Sequence, residues 1–194
     1  MKIIGITGKS GSGKSTLTQL LAKKMNCNSV NIDKIGHKAT SDPKISKKLC
    51  DIFGNQISGK AGTVDRKKLG DIVFSSKEKM DILTNITWDY MQIILDEILE
   101  KETGQVVILE WALLPISKYW EKCNLKIFMQ SDDRERKNKV MERDHISEEY
   151  FLKRDEGCID YTPYNFDFIF ENDYMPETME KIGKILNGKI EKEK

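Results

Sequence analysis

The sequence has little histidine and no paired cysteine. Cys27, Cys50, Cys123 and Cys158 lie far apart, no two form a C-x-x-C pair, and the 2 histidines do not cluster, which argues against a zinc site and against a disulfide framework. Four reduced thiols in a cytosolic protein is the simpler reading. Charge of one sign is missing too. Against 32 Lys and Arg stand 31 Asp and Glu, a net charge of +1, so nothing draws the whole chain to nucleic acid or to a membrane surface and any anion site must be local. Long apolar runs are absent: the N-terminal one is interrupted by Gly and Lys after a few residues, too soon for a signal-peptide core or a membrane span. A cytoplasmic protein is expected, with a small-molecule partner and neither nucleic acid nor membrane. Its oligomeric state is left open.

What the sequence does have is Gly8-Lys9-Ser10-Gly11-Ser12-Gly13-Lys14-Ser15, which satisfies the phosphate-binding pattern G-x-x-x-x-G-K-[ST]. The flanks agree with it. Lys2 to Thr7 is an apolar, β-branched run of strand length, and from Ser15 to Met25 small or apolar residues at Leu17, Leu20, Leu21 and Ala22 recur at helical spacing. A glycine-rich turn between strand and helix points backbone N–H groups at an anion, and the helix N-terminus adds about half a positive charge. In such a loop Lys14 reaches the β- and γ-phosphates of a nucleotide and the Ser15 hydroxyl binds Mg²⁺, so ATP and Mg²⁺ are expected, with Gly8, Ser10, Gly11, Ser12, Gly13 and Thr16 completing the cradle.

At 194 residues the chain is read as one domain. After the first helix, Ser29 to Ile32 reads as a second strand that delivers Asp33 to its C-terminal end, the edge where open α/β sheets bind ligands. Asp33 either orients or deprotonates an acceptor hydroxyl or caps the following helix. From Asp42 to Thr103 the composition turns helical. Asp42-Pro43 reads as a helix start followed by a stripe of Ile45, Leu49, Ile52 and Phe53, then a polar loop over 54–63. A long helix from about Lys77 to Lys101 carries Met80, Leu83, Ile86, Tyr90, Ile94 and Ile98. This stretch is too long for a simple crossover and is expected to form a helical lobe.

Gln105 to Leu109 is the third strand and Glu110 follows it, either as a Mg²⁺ ligand through water or as a surface-edge carboxylate. Leu125 to Met129 is the fourth strand and leads into a charged helix over 132–142, whose Arg134 and Arg136 read as a solvated face. Arg143 differs, since it ends that helix just before a new N-cap at Ser147, the place for a lid cation that stabilises charge developing in transfer. Phe166 to Phe170 is the fifth strand. A closing helix from Pro176 carries Met179, Ile182, Ile185 and Leu186, and the tail over 188–194 is expected to fray. Strand and helix in alternation imply a parallel sheet of about five strands with helices on both faces.

These residues together resemble the dephospho-coenzyme A kinases. The similarity runs through Gly8 to Ser15, Ile32-Asp33 with Ile35-Gly36, Phe53-Gly54, Ile72-Val73-Phe74, Leu113-Leu114 and Arg143-Asp144 with Ile146-Ser147; the discriminating segment is Asp65-Arg66-Lys67-Lys68-Leu69-Gly70. The resemblance implies a three-layer P-loop kinase fold with a core over 1–33, 104–130 and 160–188, an acceptor-binding insert over 34–103 and a lid over 131–159. It implies transfer of the ATP γ-phosphate to the ribose 3′-hydroxyl of dephospho-coenzyme A, the last step in making coenzyme A. Asp33 would then face the acceptor, Arg143 act from the lid, and Asn172 lie near the ATP base. The sequence departs from the family pattern at Asn31, Thr87-Trp88, Ala112, Ile116 and Lys139 and lacks a Gln near Asp155, so another nucleoside, nucleotide or related acceptor is the second reading. A nucleotide-binding protein whose chemistry has decayed is the third.

Overall fold

The computed structural model describes residues 1–59, 62–74 and 76–192, and its contacts divide the chain into two units. The first comprises 1–31 and 103–194; the second comprises 32–102.

The first unit is built on a five-stranded, fully parallel sheet. In chain order its strands are β1 (Lys2–Thr7), β2 (Asn28–Asn31), β3 (Val106–Glu110), β4 (Leu125–Gln130) and β5 (Phe168–Glu171), arranged β2-β3-β1-β4-β5. The apolar runs of β1 and β3 are buried along almost their whole length, as strands in the middle of a parallel sheet must be. Parallel pairing puts all five C-terminal ends on one edge, where β1 runs out into the glycine loop. Helices α1 (Lys14–Met25) and α8 (Pro176–Lys192) share one core with this sheet: Leu17 and Leu21 from α1 and Met179, Ile182, Leu186 and Ile190 from α8 cluster with Ile4, Ile6, Ile108, Ile127 and Met129. Ile185, expected on that buried stripe, is 44% exposed, and Ile190 takes its place one turn on. The helix also continues through Lys192, where a frayed tail was expected; Glu193 and Lys194 lie outside the described residues.

On the other side of β1, Gly5 leaves room for Leu114 and Cys123: a Cβ there would sit 2.7 Å from the Cys123 sulfur. Phe128 meets Phe166 and Tyr161 at ring-centroid distances of 4.8 and 4.9 Å. The segment after β4 supplies α6 (Asp133–Asp144) and α7 (Glu148–Glu156), started by Asp132 and Ser147, whose side chains accept hydrogen bonds from the backbone of the first turn.

The second unit holds α2 (Ile32–Ala39), α3 (Pro43–Phe53), α4 (Arg66–Val73) and α5 (Lys77–Lys101). Asp42 caps α3 and Asp65 caps α4, each accepting from two backbone N–H groups. Their apolar faces close around Leu49, Phe53, Ile57, Val64, Leu69 and Val73. Two of the expected stripes shift. Ile52 is 49% exposed, and the fully buried line on α5 is Thr87, Met91 and Leu95, one residue beyond Ile86, Tyr90 and Ile94. Lys60 and Ala61, inside the expected polar loop, lie outside the described residues; within that loop Asn55–Ile57 forms a 3₁₀ turn. Among the described residues no helix is long and apolar enough to cross a membrane.

Candidate active site

The glycine loop joins β1 to α1 through backbone geometry that only glycine tolerates. Gly8 and Gly13 have φ of 141° and 94°, and a Cβ would lie 2.1 Å from the Met129 carbonyl oxygen at the first and 2.3 Å from Asn172 Nδ2 at the second. The chain then enters α1 with no side-chain cap at Gly13 and no acidic residue in the first turn, leaving the positive end of the helix for an anion. Lys14 is buried and its ammonium donates to the Lys9 carbonyl oxygen at 2.8 Å, folded across the loop. The buried Ser12 hydroxyl has no hydrogen-bond partner among the described residues. This donor set, a helix N-terminus with a lysine ammonium and a buried hydroxyl, fits the phosphates of a nucleotide.

Glu110 is 4% exposed at the end of β3, so the reading of it as a surface-edge carboxylate fails. The Ser15 hydroxyl donates to Glu110 Oε1, bringing together two of the predicted metal-side residues. Among the described residues no group of three His, Cys, Asp or Glu side chains is placed to hold a metal. A site of one hydroxyl and one carboxylate suits Mg²⁺, which keeps water and phosphate oxygens for its remaining positions.

Asn172, just past β5, is buried and supports the loop from below: its Nδ2 donates to the Ser12 carbonyl oxygen at 3.2 Å and its Oδ1 accepts from the Tyr174 N–H. The Tyr174 hydroxyl donates to the Gly11 carbonyl oxygen at 3.0 Å. Thr16 lies exposed in the first turn of α1.

Side chains of α6 and α7 reach the same loop. Arg143, at the end of α6, donates from Nη2 to the Ser10 hydroxyl at 3.5 Å and pairs with Asp144 through Nε at 2.7 Å and Nη2 at 2.9 Å. Arg154 on α7 also pairs with Asp144, at 2.7 Å, and donates to the Ser10 hydroxyl at 3.1 Å. The Arg143 guanidinium, helped by that of Arg154 and opposed by partial burial, holds the Asp144 carboxyl below the usual carboxylate range. Beneath them Arg136, only 2% exposed, binds both carboxylate oxygens of Asp155 at 2.7 Å, Asp133 at 2.7 Å and the Ser10 carbonyl oxygen at 3.3 Å. Burial alone would raise the Asp155 pKa, but the hydrogen bonds and charge of Arg136 outweigh it and lower the pKa.

Arg136 is therefore no solvated-face charge, and Arg154 and Asp155, not singled out from the sequence, join it beside the loop. A signal for them existed. Arg136, Val140 and Arg143 follow one another at i, i+4 and i+7, and Phe151, Arg154 and Asp155 at i, i+3 and i+4, so each charged group shares a face with a buried apolar residue.

Asp33 belongs to the second unit. Helix α2 begins at Ile32, so β2 stops at Asn31 and Asp33 is an exposed residue of the first helical turn; it is neither a strand-end residue nor the N-cap. Nearby in the same unit, Arg66 Nη2 lies 2.8 Å from His37 Nε2.

A family model described as dephospho-CoA kinase matches residues 2–160. The chain belongs to the dephospho-CoA kinase family. It is 36% identical over 147 residues to the dephospho-CoA kinase of Fusobacterium nucleatum, covering 76% of each chain. With the dephospho-CoA kinase of Leptospira interrogans serovar Lai it shares 31% identity over 196 residues, covering 97% of this chain and 94% of the other. The crystal structure of a Thermus thermophilus protein superposes with a TM-score of 0.78 at 26% identity, over 97% of both chains. Three of the departures from the family pattern occupy ordinary structural places here. Asn31 ends β2 opposite Glu110, the Ala112 carbonyl oxygen accepts from Thr7 and Tyr161, and Lys139 lies over the Tyr174 ring.

Proposed function

We propose that the protein transfers the γ-phosphoryl group of ATP to the ribose 3′-hydroxyl of dephospho-coenzyme A, forming coenzyme A and ADP, the last step in making that cofactor. The observation that carries this reading is the convergence on one glycine loop of Lys14, the Ser15–Glu110 pair and two lid arginines, in a chain that belongs to the family. The acceptor oxygen forms its bond to Pγ as the bond from Pγ to the β–γ bridging oxygen breaks. Charge spreads over the equatorial oxygens of the transferring group and onto the leaving ADP. Lys14 neutralises the β- and γ-phosphates throughout, whereas Arg143 and Arg154 act on charge that appears only in transfer. Asp33 receives or orients the acceptor hydroxyl proton. Ser15 and Glu110 would hold Mg²⁺, which supplies charge neutralisation at the phosphates when bound. Within the reading, 34–103 is the acceptor insert, 131–159 the lid, and the protein works in the cytoplasm, where ATP is supplied.

The test is a panel of dephospho-coenzyme A, adenosine, AMP and pantetheine at equal concentration, with ATP and Mg²⁺, reading ADP. Dephospho-coenzyme A should turn over and the others hardly at all. Asp33→Asn should keep ATP affinity and lower turnover by roughly 10² to 10⁴, the range of a general base. Strong turnover of a nucleoside with dephospho-coenzyme A silent would overturn the acceptor and leave a kinase.

A further inference from the structure

We infer that Asp144 is a positioning residue: one carboxylate that presets Arg143 and Arg154 as a pair at the mouth of the glycine loop, with the Ser10 hydroxyl in the place that an oxygen of the transferring phosphoryl group takes. The inference rests on the kinase reading and adds to it a residue that touches neither nucleotide nor acceptor.

Asp144 gains nothing for the helix it ends. It is the last residue of α6, at the negative end of the helix dipole, where a carboxylate is disfavoured. The reversal of the chain there is made by His145, in the left-handed region at φ 51°, whose N–H donates to the Met141 carbonyl oxygen. Neighbouring side chains on a helix point apart, yet Arg143 folds back to meet Asp144 through two N–H groups. The same carboxylate takes a third hydrogen bond from Arg154, ten residues on in the next helix. Two guanidiniums that aim at one hydroxyl repel each other, and the carboxylate between them offsets that repulsion. The cluster is half exposed, with side-chain exposures of 56% for Arg143, 32% for Arg154 and 25% for Asp144, so the arms can trade partners without unfolding the lid. Two cations and one anion leave the cluster with net charge +1, matched to an incoming anion. An oxygen of the phosphoryl group replaces Ser10 as acceptor for both arginines while Asp144 keeps their planes aligned.

The experiment compares affinity for Mg²⁺–ADP with aluminium fluoride, a mimic of the transferring phosphoryl group, against affinity for Mg²⁺–ADP alone. It uses the full chain as wild type, Asp144→Asn, Asp144→Glu, and a background carrying Arg143→Ala and Arg154→Ala. Asp144→Asn keeps shape but cannot accept three N–H bonds; it should weaken mimic binding and lower kcat by roughly 10²-fold, as misplacement of transfer groups does, and leave ADP affinity within about threefold. Asp144→Glu should recover part of the loss. In the background without the two arginines, Asp144→Asn should add less than about threefold, because groups that act as one unit are non-additive. Equal weakening of ADP and mimic, no recovery by Glu, or the same cost in both backgrounds would overturn the assignment and leave Asp144 a structural residue. The mimic needs no acceptor, so a failed acceptor panel would be told apart from a failed role for Asp144.

Discussion

The glycine loop and the α6–α7 segment, the proposed lid, meet at Ser10 but are built in opposite ways. The loop gets its shape from backbone: positive φ at Gly8 and Gly13, with Met129 and Asn172 pressed so close that a methyl group at either glycine would collide. The lid places its groups on long side chains, and carboxylates of Asp133, Asp144 and Asp155 set where those side chains lie. A backbone cradle is a rigid receiver, whereas half-exposed ion-paired arms on two short helices suit the lid role proposed for them. The same difference predicts where substitutions act. Change in the loop should remove binding and chemistry together, and change in the lid should remove chemistry first.

Lys14→Ala should have the largest effect. In the proposed reading its ammonium faces the β- and γ-phosphates in ground and transition states alike, so turnover should fall by roughly 10³-fold or more and ATP affinity should weaken as well. Steady-state kinetics with a direct nucleotide-binding measurement checks both. An enzyme still turning over near the wild-type rate would remove the loop from the mechanism.

Arg143→Ala and Arg154→Ala come next and break the symmetry between the two regions. Each should lower kcat by about 10²-fold, the effect of removing one transition-state donor, with a smaller rise in the ATP KM. Arg154, the nearer to Ser10, should cost no less than Arg143. A loss confined to KM would make both arginines binding groups and erase the contrast with Lys14.

That contrast also explains what was legible in the sequence. The loop could be read because its chemistry is carried by residues fixed in spacing, with a strand before and a helix after; β1, β3, β4 and β5 could be read as runs rich in apolar residues, whereas β2 has only Val30 to mark it. The place of Arg143 at the junction of two helices was legible. Arg136 and Arg154 were not, because among so many surface charges an arginine is distinguished only by its partner, and Asp155 lies 19 residues from Arg136. The errors at Asp33, Ile52 and Ile185 have another cause. Each is a choice of boundary or helix face made by neighbours distant in sequence: Ile32, β-branched and apolar, reads as strand, yet it is buried as the first residue of α2.

The smallest expected effect tests whether the lid's ion pairs also hold the first unit together. Arg136 is buried, so removing the charge of Asp155 leaves a guanidinium with Asp133, itself 75% exposed, as its remaining carboxylate. Asp155→Asn should therefore destabilise the fold by about 2–3 kcal/mol, the cost of leaving a buried charged donor short of its acceptor. The pH dependence has a definite sign. The Asp155 pKa is lowered in the folded chain, so its stabilising contribution is complete above the ordinary carboxylate pKa of about 4 and is lost as pH falls through the folded value. Thermal unfolding from pH 7 down to pH 3 should show wild type and Asp155→Asn converging at the acid end and separated at neutral pH. Coincident curves across that range would mean that the Arg136–Asp155 pair contributes no net stability, and that α6 and α7 are held to the loop by Val140 and the Ser10 contacts instead.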